Sequence, residues 1–388
     1  MTPPEHIAHN LLTQVHLRLV SCTELQSLWA DYGHICAIEA RDAADKRVPL
    51  ILKLISPPSA SRQEEGHLRK VLSYQVEQYF YTHIAPRLPP DVPVATCLAS
   101  TQHQHETAML LTDLRPRFPL AAGKRELLSP RQVDAVVDWL AIFHASSAAF
   151  FVPASPHAFV LPPLQEAERK TTTRGLWLNG GYTYLATRRS EYASLAADEQ
   201  SEWSAAFCSP FDAGSEASVA ELAATFLTPC GRSFESLIHG DVKSENLFST
   251  TQGDAVALFD FQYVGLGLGV CDLAKLFTCS VPPELLHVSP AASFNELPMS
   301  QGEEALLKVY LDTFASRHQP PIDYDWNDFV RHWETALVDW CRFQASWGFW
   351  GNTDWLQARV RLILKDNGWR DWIRQQAQQS NTKNKAQV

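Results

Sequence analysis

Between residues 20 and 54 apolar and polar positions are arranged as they are in strands. Apolar stretches at 35–40 and 48–55 flank the polar segment Arg41-Asp42-Ala43-Ala44-Asp45-Lys46-Arg47, which predicts an antiparallel hairpin. Pro57 and Pro58 break that pattern, and the period then changes. Leu68, Val71, Leu72, Val76, Tyr79 and Phe80 recur at helical spacing, so 63–84 reads as a helix, ended by Pro86, Pro89 and Pro90. Short apolar runs at 92–98 and 108–111 lead to the connector Thr112-Asp113-Leu114-Arg115-Pro116. Beyond it the chain turns mainly helical: Val133, Val136, Val137, Leu140, Ile142 and Phe143 mark the apolar face of a helix over 130–148. Residues 151–234, with Pro162-Pro163, Gly180-Gly181 and a Ser/Ala/Glu-rich stretch at 190–221, predict helices joined by long connections. Strand and turn character returns at 237–277 and helical character at 326–364. The Gln/Asn/Lys-rich end, 375–388, predicts a disordered tail.

This order divides the chain into a small sheet-rich unit at 1–114 and a larger one at 115–374, ahead of the tail. Length agrees, since 388 residues suit two or three units of roughly 100–200 residues. With 45% hydrophobic and 20% charged residues the chain is a folded globular protein, and disordered or fibrous classes are excluded. Against 43 Asp+Glu stand 33 Lys+Arg, a net charge of -10, which is the wrong sign for a surface that tracks nucleic-acid phosphates. The first twenty residues carry His6, His9 and His16 among their leucines, and so lack the apolar core of a signal peptide. No later run is apolar enough to span a bilayer. A cytoplasmic protein with neither a membrane nor an obligate protein partner is expected. Eight cysteines without a C-x-x-C pair suit reduced thiols better than disulfides or zinc.

Chemistry concentrates in Leu237-Ile238-His239-Gly240-Asp241-Val242-Lys243-Ser244-Glu245-Asn246-Leu247-Phe248 and in Val256-Ala257-Leu258-Phe259-Asp260-Phe261-Gln262. Phosphoryl transfer from ATP needs a carboxylate at the acceptor hydroxyl, an amide and a second carboxylate on magnesium, and a cation on the moving phosphate. Asp241, Asn246, Asp260 and Lys243 supply those types. Asp260 follows Asp241 by 19 residues at the end of a strand, and runs at 247–248 and 256–259 predict the hairpin that brings Asn246 and Asp260 to one metal. The same residues also occur in Asx turns and at strand ends without any chemistry. Type, spacing and strand context together favour catalysis.

These motifs resemble the protein-kinase-like superfamily and, within it, the aminoglycoside phosphotransferase, choline kinase and ecdysteroid-kinase-like group of small-molecule kinases. The resemblance rests on His239-Gly240-Asp241 with Asn246, on Asp260-Phe261-Gln262-Tyr263, and on Cys271-Asp272-Leu273-Ala274, which is similar to that group's D-L-A segment. Ser73-Tyr74-Gln75-Val76-Glu77-Gln78-Tyr79-Phe80-Tyr81 through Ala85-Pro86 resembles its E-x-x-F-Y helix, and Leu140-Ala141-Ile142-Phe143-His144-Ala145 its L-A-x-F-H-A helix. The resemblance implies an α+β, bilobal protein-kinase-like fold, with a small antiparallel-sheet lobe carrying one helix and a larger, mainly helical lobe. It implies ATP- and magnesium-dependent phosphorylation of a hydroxyl on a small metabolite, so the partners are ATP and a small-molecule alcohol. In that scheme Asp241 is the catalytic base, Asn246 and Asp260 hold Mg2+, and Lys53 pairs with the ATP phosphates, oriented by Glu77. Leu111, Thr112 and Asp113 resemble the hinge whose backbone contacts adenine, an ordinary interdomain link being the alternative.

Residue chemistry supports Lys53 separately, because a lysine inside an apolar strand is costly unless its ammonium meets a partner or an anion. At a sheet edge it would simply be solvated. Glu64 and Glu65 compete with Glu77. Asp241-x-Lys243-x-x-Asn246 has the spacing of a protein-kinase catalytic loop, whose lysine neutralises charge on the transferred phosphate. Protein kinases, however, place a long activation segment and an A-P-E motif after the magnesium aspartate, and here only 261–271 separate Asp260 from Asp272. A small acceptor is therefore expected over a protein, with a pseudokinase as the non-enzyme alternative. The nucleotide-covering loop should lie near 29–35, where Gly33 is the one glycine, so its backbone cradle is weak. His239 and Asp272 are expected to hold the loop through backbone hydrogen bonds, and His144 to pack.

Twelve tryptophans are an excess, and six fall between Trp326 and Trp355. Trp326, Trp333, Trp340 and Trp347 recur every seven residues, a slowly drifting helical stripe widened by Phe343 and Trp350. The stripe is either core packing or the wall of an acceptor pocket for a quaternary ammonium or a flat apolar alcohol. Asp325, Asp328, Glu334 and Asp339 offer charge to a cationic substrate, but Arg331 and Arg342 stand at helical spacing from Asp328 and Asp339 and are expected to pair them off as surface charge.

Overall fold

The computed structural model describes residues 3–28, 31–58, 64–103, 106–148, 159–169, 174–212, 215–286 and 295–386. Trp29 and Ala30 of the segment expected to cover a nucleotide, Gln63 and residues 151–158 lie outside them. Helix α1 (Pro3–Gln14) leads into β1 (Arg18–Ser27), β2 (Gly33–Arg41) and β3 (Arg47–Ile55). Helix α2 (Glu65–Tyr79) runs on through the turns Phe80–Ile84 and Ala85–Arg87. β4 (Cys97–His103) and β5 (Glu106–Thr112) complete an antiparallel sheet of order β1-β2-β3-β5-β4. The expected hairpin is β2–β3, in register at Ala40↔Val48 and Ile38↔Leu50.

Alternation along β3 gives the sheet two different faces. Leu50, Leu52 and Leu54 pack with Ala8, Leu11 and Leu12 of α1. Ile55, with Met109 and Leu111 of β5, joins the main core beneath α2. The small lobe thus carries two helices rather than the one expected. α1 escapes a periodicity reading because its apolar residues are few and set among histidines, and only the sheet face beneath it makes them a stripe.

The larger lobe contains β6 (Leu120–Ala121), α3 (Pro130–Ala148), β7 (Phe159–Val160), α4 (Pro163–Ala167), β8 (Leu176–Trp177) and α5 (Arg189–Ala196). It continues with α6 (Glu202–Cys208), α7 (Val219–Leu227), β9 (Glu235–Ile238), β10 (Leu247–Ser249), β11 (Val256–Leu258) and β12 (Gly265–Leu268). The remaining helices are α8 (Val270–Cys279), α9 (Pro283–Leu286), α10 (Gln301–Arg317), α11 (Trp326–Trp347), α12 (Thr353–Lys365) and α13 (Asn367–Ala386). Its strands form two small sheets, β11-β10-β6 and β7-β8-β12-β9. The architecture is α+β, a five-stranded antiparallel sheet followed by a larger, mainly helical lobe.

α13 reaches Ala386, whereas a disordered tail is expected from 375. Trp369 and Ile373 are fully buried, and Arg374 reaches Asp212 at 2.8 Å, so tertiary contacts anchor a helix that composition alone does not suggest. No helix among the described residues is long and apolar enough to cross a membrane. Cys22, Cys36, Cys97, Cys208, Cys271, Cys279 and Cys341 form no disulfide among the described residues.

Candidate active site

β3 carries Lys53 on the side facing α2, where it is only 5% exposed. Its ammonium donates to Glu77 Oε1 at 2.9 Å and lies 2.7 Å from Oε2. It also donates to Asp260 Oδ1 at 3.0 Å, across the interlobe cleft. Of the competing acids, Glu65 instead serves Arg69 and accepts from Thr187. One lysine thus faces two carboxylates. Burial disfavours its charge, but Asp260 and Glu77 outweigh that and raise its pKa. Burial, with Asp260 alongside, pushes Glu77 up to about 7 against the pull of Lys53. Asp260 is held below the ordinary carboxylate value, because Lys53 overcomes the opposing effect of burial.

Asp260 follows β11 with φ 65°, a left-handed conformation that Asp tolerates better than bulky residues. Gln262 donates to its Oδ1 at 2.6 Å and accepts from Ser73 of α2 at 3.3 Å. Phe261 between them is fully buried, stacked on Phe80 with ring centroids 3.9 Å apart. The packing of this ring ties the end of α2 to the loop that bears Asp260.

The loop after β9 carries the other acid. Gly240 has φ 85°, and a Cβ there would lie 2.5 Å from the Tyr263 carbonyl oxygen, so glycine is required. Asp272 of α8 accepts from the backbone N–H of His239 at 2.6 Å and of Gly240 at 2.8 Å. His239 Nε2 bonds the Phe259 carbonyl at 2.9 Å, while its Nδ1 accepts from the Asp241 N–H at 3.3 Å. Burial lowers the His239 pKa, in keeping with a neutral ring that donates on one side and accepts on the other. Both residues hold the loop, as expected. His144 does more than pack, since it bridges Asp272 at 3.2 Å and the Tyr310 hydroxyl at 2.8 Å.

Asp241 is 8% exposed. Its Oδ2 accepts from Lys243 Nζ and from Asn246 Nδ2, each at 3.0 Å, and Asn246 Nδ2 also reaches its carbonyl at 2.8 Å. Burial opposes the Lys243 charge, but Asp241 raises its pKa and keeps it an ammonium. Asn246 Oδ1 and Asp260 Oδ2 take no hydrogen bond among the described residues. β10 and β11, paired at Leu247↔Leu258, bring the two side chains to one end of a hairpin.

Leu111 and Thr112 end β5, and Asp113 follows. The Thr112 N–H is committed to the Thr96 carbonyl at 2.9 Å, and the Asp113 carboxylate is gripped by Arg115 at 2.7 Å. No hydrogen bond among the described residues joins these three to Lys53 or Asp241. The tryptophan stripe divides: Trp333 and Trp340 are buried, whereas Trp347 is 58% exposed. Trp347 stacks on Phe343, Phe343 meets Tyr182 edge-on, and Tyr182 lies against Tyr263, a row of rings that leads inward. The Tyr263 carbonyl lies against Gly240, the residue before Asp241, which places the inner end of the row beside that loop. Asp339 is paired with Arg342 at 2.7 Å, Glu334 with Arg331 at 2.8 Å, and Asp325 caps the N-terminus of α11. Sequence reasoning assigned no role to Gln262, Ser73, Arg69 or Tyr182. Gln262 alone had a signal, its place two residues after Asp260.

Residues 34–291, about two-thirds of the chain, match the model of the ecdysteroid kinase-like family. No curated protein matches the sequence. Among solved structures, a Ralstonia eutropha protein assigned as an aminoglycoside phosphotransferase is 13% identical, with 96% of this chain and 98% of that one covered and a TM-score of 0.47. Choline kinase from Cryptosporidium parvum is 10% identical over 96% and 92% of the two chains, with a TM-score of 0.39. Ethanolamine kinase from Plasmodium vivax is 13% identical over 92% and 84%, with a TM-score of 0.38. Likenesses this remote bear on neither substrate nor cofactor. The family match, spanning the small-lobe hairpin, the loop of Asp241 and the helix of Asp272, carries the assignment: the chain belongs to the ecdysteroid kinase-like family.

Proposed function

We propose that this protein is a phosphotransferase that moves the terminal phosphoryl group of ATP, with magnesium, onto a hydroxyl of a small molecule. The supporting observation is the convergence of Lys53, Asp260, Asp241, Lys243 and Asn246 at the interlobe cleft, two carboxylates, two ammoniums and an amide drawn from both lobes. We set the boundary between nucleotide-binding and catalytic lobes near residue 114, just beyond β5.

The donor set fits magnesium, which keeps several water and phosphate oxygens and needs one or two protein oxygens. Asp260 Oδ2 and Asn246 Oδ1 would hold it. Among the described residues no group of three His, Cys, Asp or Glu could hold a metal unaided, in keeping with an ion shared with the substrate phosphates. The chemistry the ion supplies when bound is neutralisation of charge on those oxygens. Lys53, held by Glu77 and Asp260, takes the non-transferred phosphates. Asp241 orients the acceptor hydroxyl and receives its proton as oxygen attacks phosphorus and ADP leaves. Lys243 turns from Asp241 to the phosphoryl group in flight.

The row of rings, with Glu334 and Asp339 already paired to arginines, favours a neutral, flat alcohol over a cationic acceptor. Protein acceptors are disfavoured because β12 and α8 follow Asp260 directly, leaving no platform for a peptide. Seven cysteines that form no disulfide among the described residues suit a cytoplasmic setting. The test is ADP release over hydroxylated metabolites grouped as cationic, neutral apolar and sugar-like. Asp260→Ala should abolish metal-dependent ATP binding, and Asp241→Ala should keep ATP binding while turnover falls by about 10²–10⁴. Full activity in either variant overturns the proposal, and binding without ADP release on any alcohol would favour a pseudokinase.

A further inference from the structure

We infer that Lys275 is a positioning residue for Asp241, holding the peptide plane between Gly240 and Asp241; the inference rests on the role proposed above for Asp241. Lys275 lies on α8, 5% exposed, and its ammonium donates to the Gly240 carbonyl at 2.7 Å. It forms no ion pair among the described residues. Its other neighbours are the rings of Tyr182 and Trp340, with centroids at 5.8 and 6.0 Å, and a cavity of about 30 Å3, room for a single water.

Two physical points give this contact a purpose. The first is geometric. Gly240 sits at φ 85°, and glycine takes positive and negative φ about equally well, so a peptide plane beside it reorients at little cost. Asp272 secures the His239 and Gly240 N–H groups, but nothing on that side holds the Gly240 carbonyl, the last group before Asp241. Lys275 stands three residues beyond Asp272, on the same face of α8. That face therefore offers a carboxylate to the N–H groups of the two preceding peptides and an ammonium to the carbonyl of the next, whose other end, the Asp241 N–H, donates to His239 Nδ1 at 3.3 Å.

The second point is energetic. A buried ammonium without a carboxylate is expensive, and an apolar side chain of similar length would pack more cheaply. Packing alone therefore does not account for lysine here. With the plane fixed, the Asp241 side chain leaves the backbone in one direction, and misplacement of a reacting group by about 1 Å costs on the order of a hundredfold in rate.

The experiment compares the wild type with Lys275→Met. The variant should keep or raise its unfolding midpoint, leave KM for ATP within about twofold, lose kcat by roughly ten- to a hundredfold, and exchange backbone amides of 237–246 faster than wild type. Unchanged kcat and unchanged exchange would overturn the inference. If Lys275→Met does not fold, Lys275→Ala decides: ethylammonium restoring turnover, where sodium at equal ionic strength does not, supports the inference, and no restoration overturns it. Faster loop exchange alongside a wild type that phosphorylates no acceptor upholds the hold of Lys275 on the loop and overturns the proposed chemistry instead.

Discussion

Lys53, Glu77 and Asp260 pose a charge problem, because one buried ammonium faces two carboxylates, Glu77 out of water and Asp260 partly exposed. Glu77, the deeper acid, bears the cost, and its pKa stands at about 7. The sign follows from linkage. The unfolded carboxyl has its ordinary value near 4.5, so between there and about 7 the native state holds a proton that the unfolded state has released. Stability from this group is therefore present in full at low pH and lost as pH rises through about 7. Urea unfolding of wild type and Glu77→Gln at pH 5 and pH 8 should show the wild type losing stability relative to the variant; a constant difference would refute the assignment. Lys53 and its reason for being buried were legible from the sequence, since a lysine in an apolar strand demands a partner. Its doubled partnership was not, because nothing local places Asp260, 207 residues away, beside Glu77.

Elements decide which members of a repeated pattern matter. In α11 four tryptophans share one heptad spacing, which cannot tell core from surface, since α11 packs closely along only part of its length. Trp333 is fully buried and donates to Glu303 at 2.8 Å, which in turn holds Arg359 at 3.1 Å. Trp333→Ala should cost about 3–5 kcal/mol in urea unfolding. Trp347, 58% exposed against Phe343 and Arg188, should cost less than about 1 kcal/mol when changed to Ala. Equal losses would mean that the stripe packs uniformly. α13 gives the complementary lesson: Gln and Lys are good helix formers, and burial of Trp369 and Ile373 tips a polar segment into a helix.

At the scale of the molecule the site exists only while the lobes are together. Arg69 of α2 reaches into the larger lobe, donating to Thr187 Oγ1 at 2.9 Å and to the Thr187 carbonyl at 2.7 Å. Arg69→Ala should loosen closure, raising KM for ATP and lowering kcat together with little change in unfolding midpoint; a variant with wild-type kinetics would exclude such a clasp. The sequence by itself determined the hairpins, the helices α2, α3 and α11, and the loop on which Asp241, Lys243 and Asn246 stand, because periodicity and close spacing are local properties that survive any packing. Tertiary structure alone decided that Lys53 has two acids rather than one, that Arg331 also pairs with Asp366 beyond α12, and that Lys275 turns to the Gly240 carbonyl. Those outcomes depend on which side chains meet when distant segments pack and lose their water, and hydrophobic order along the chain carries no record of such meetings.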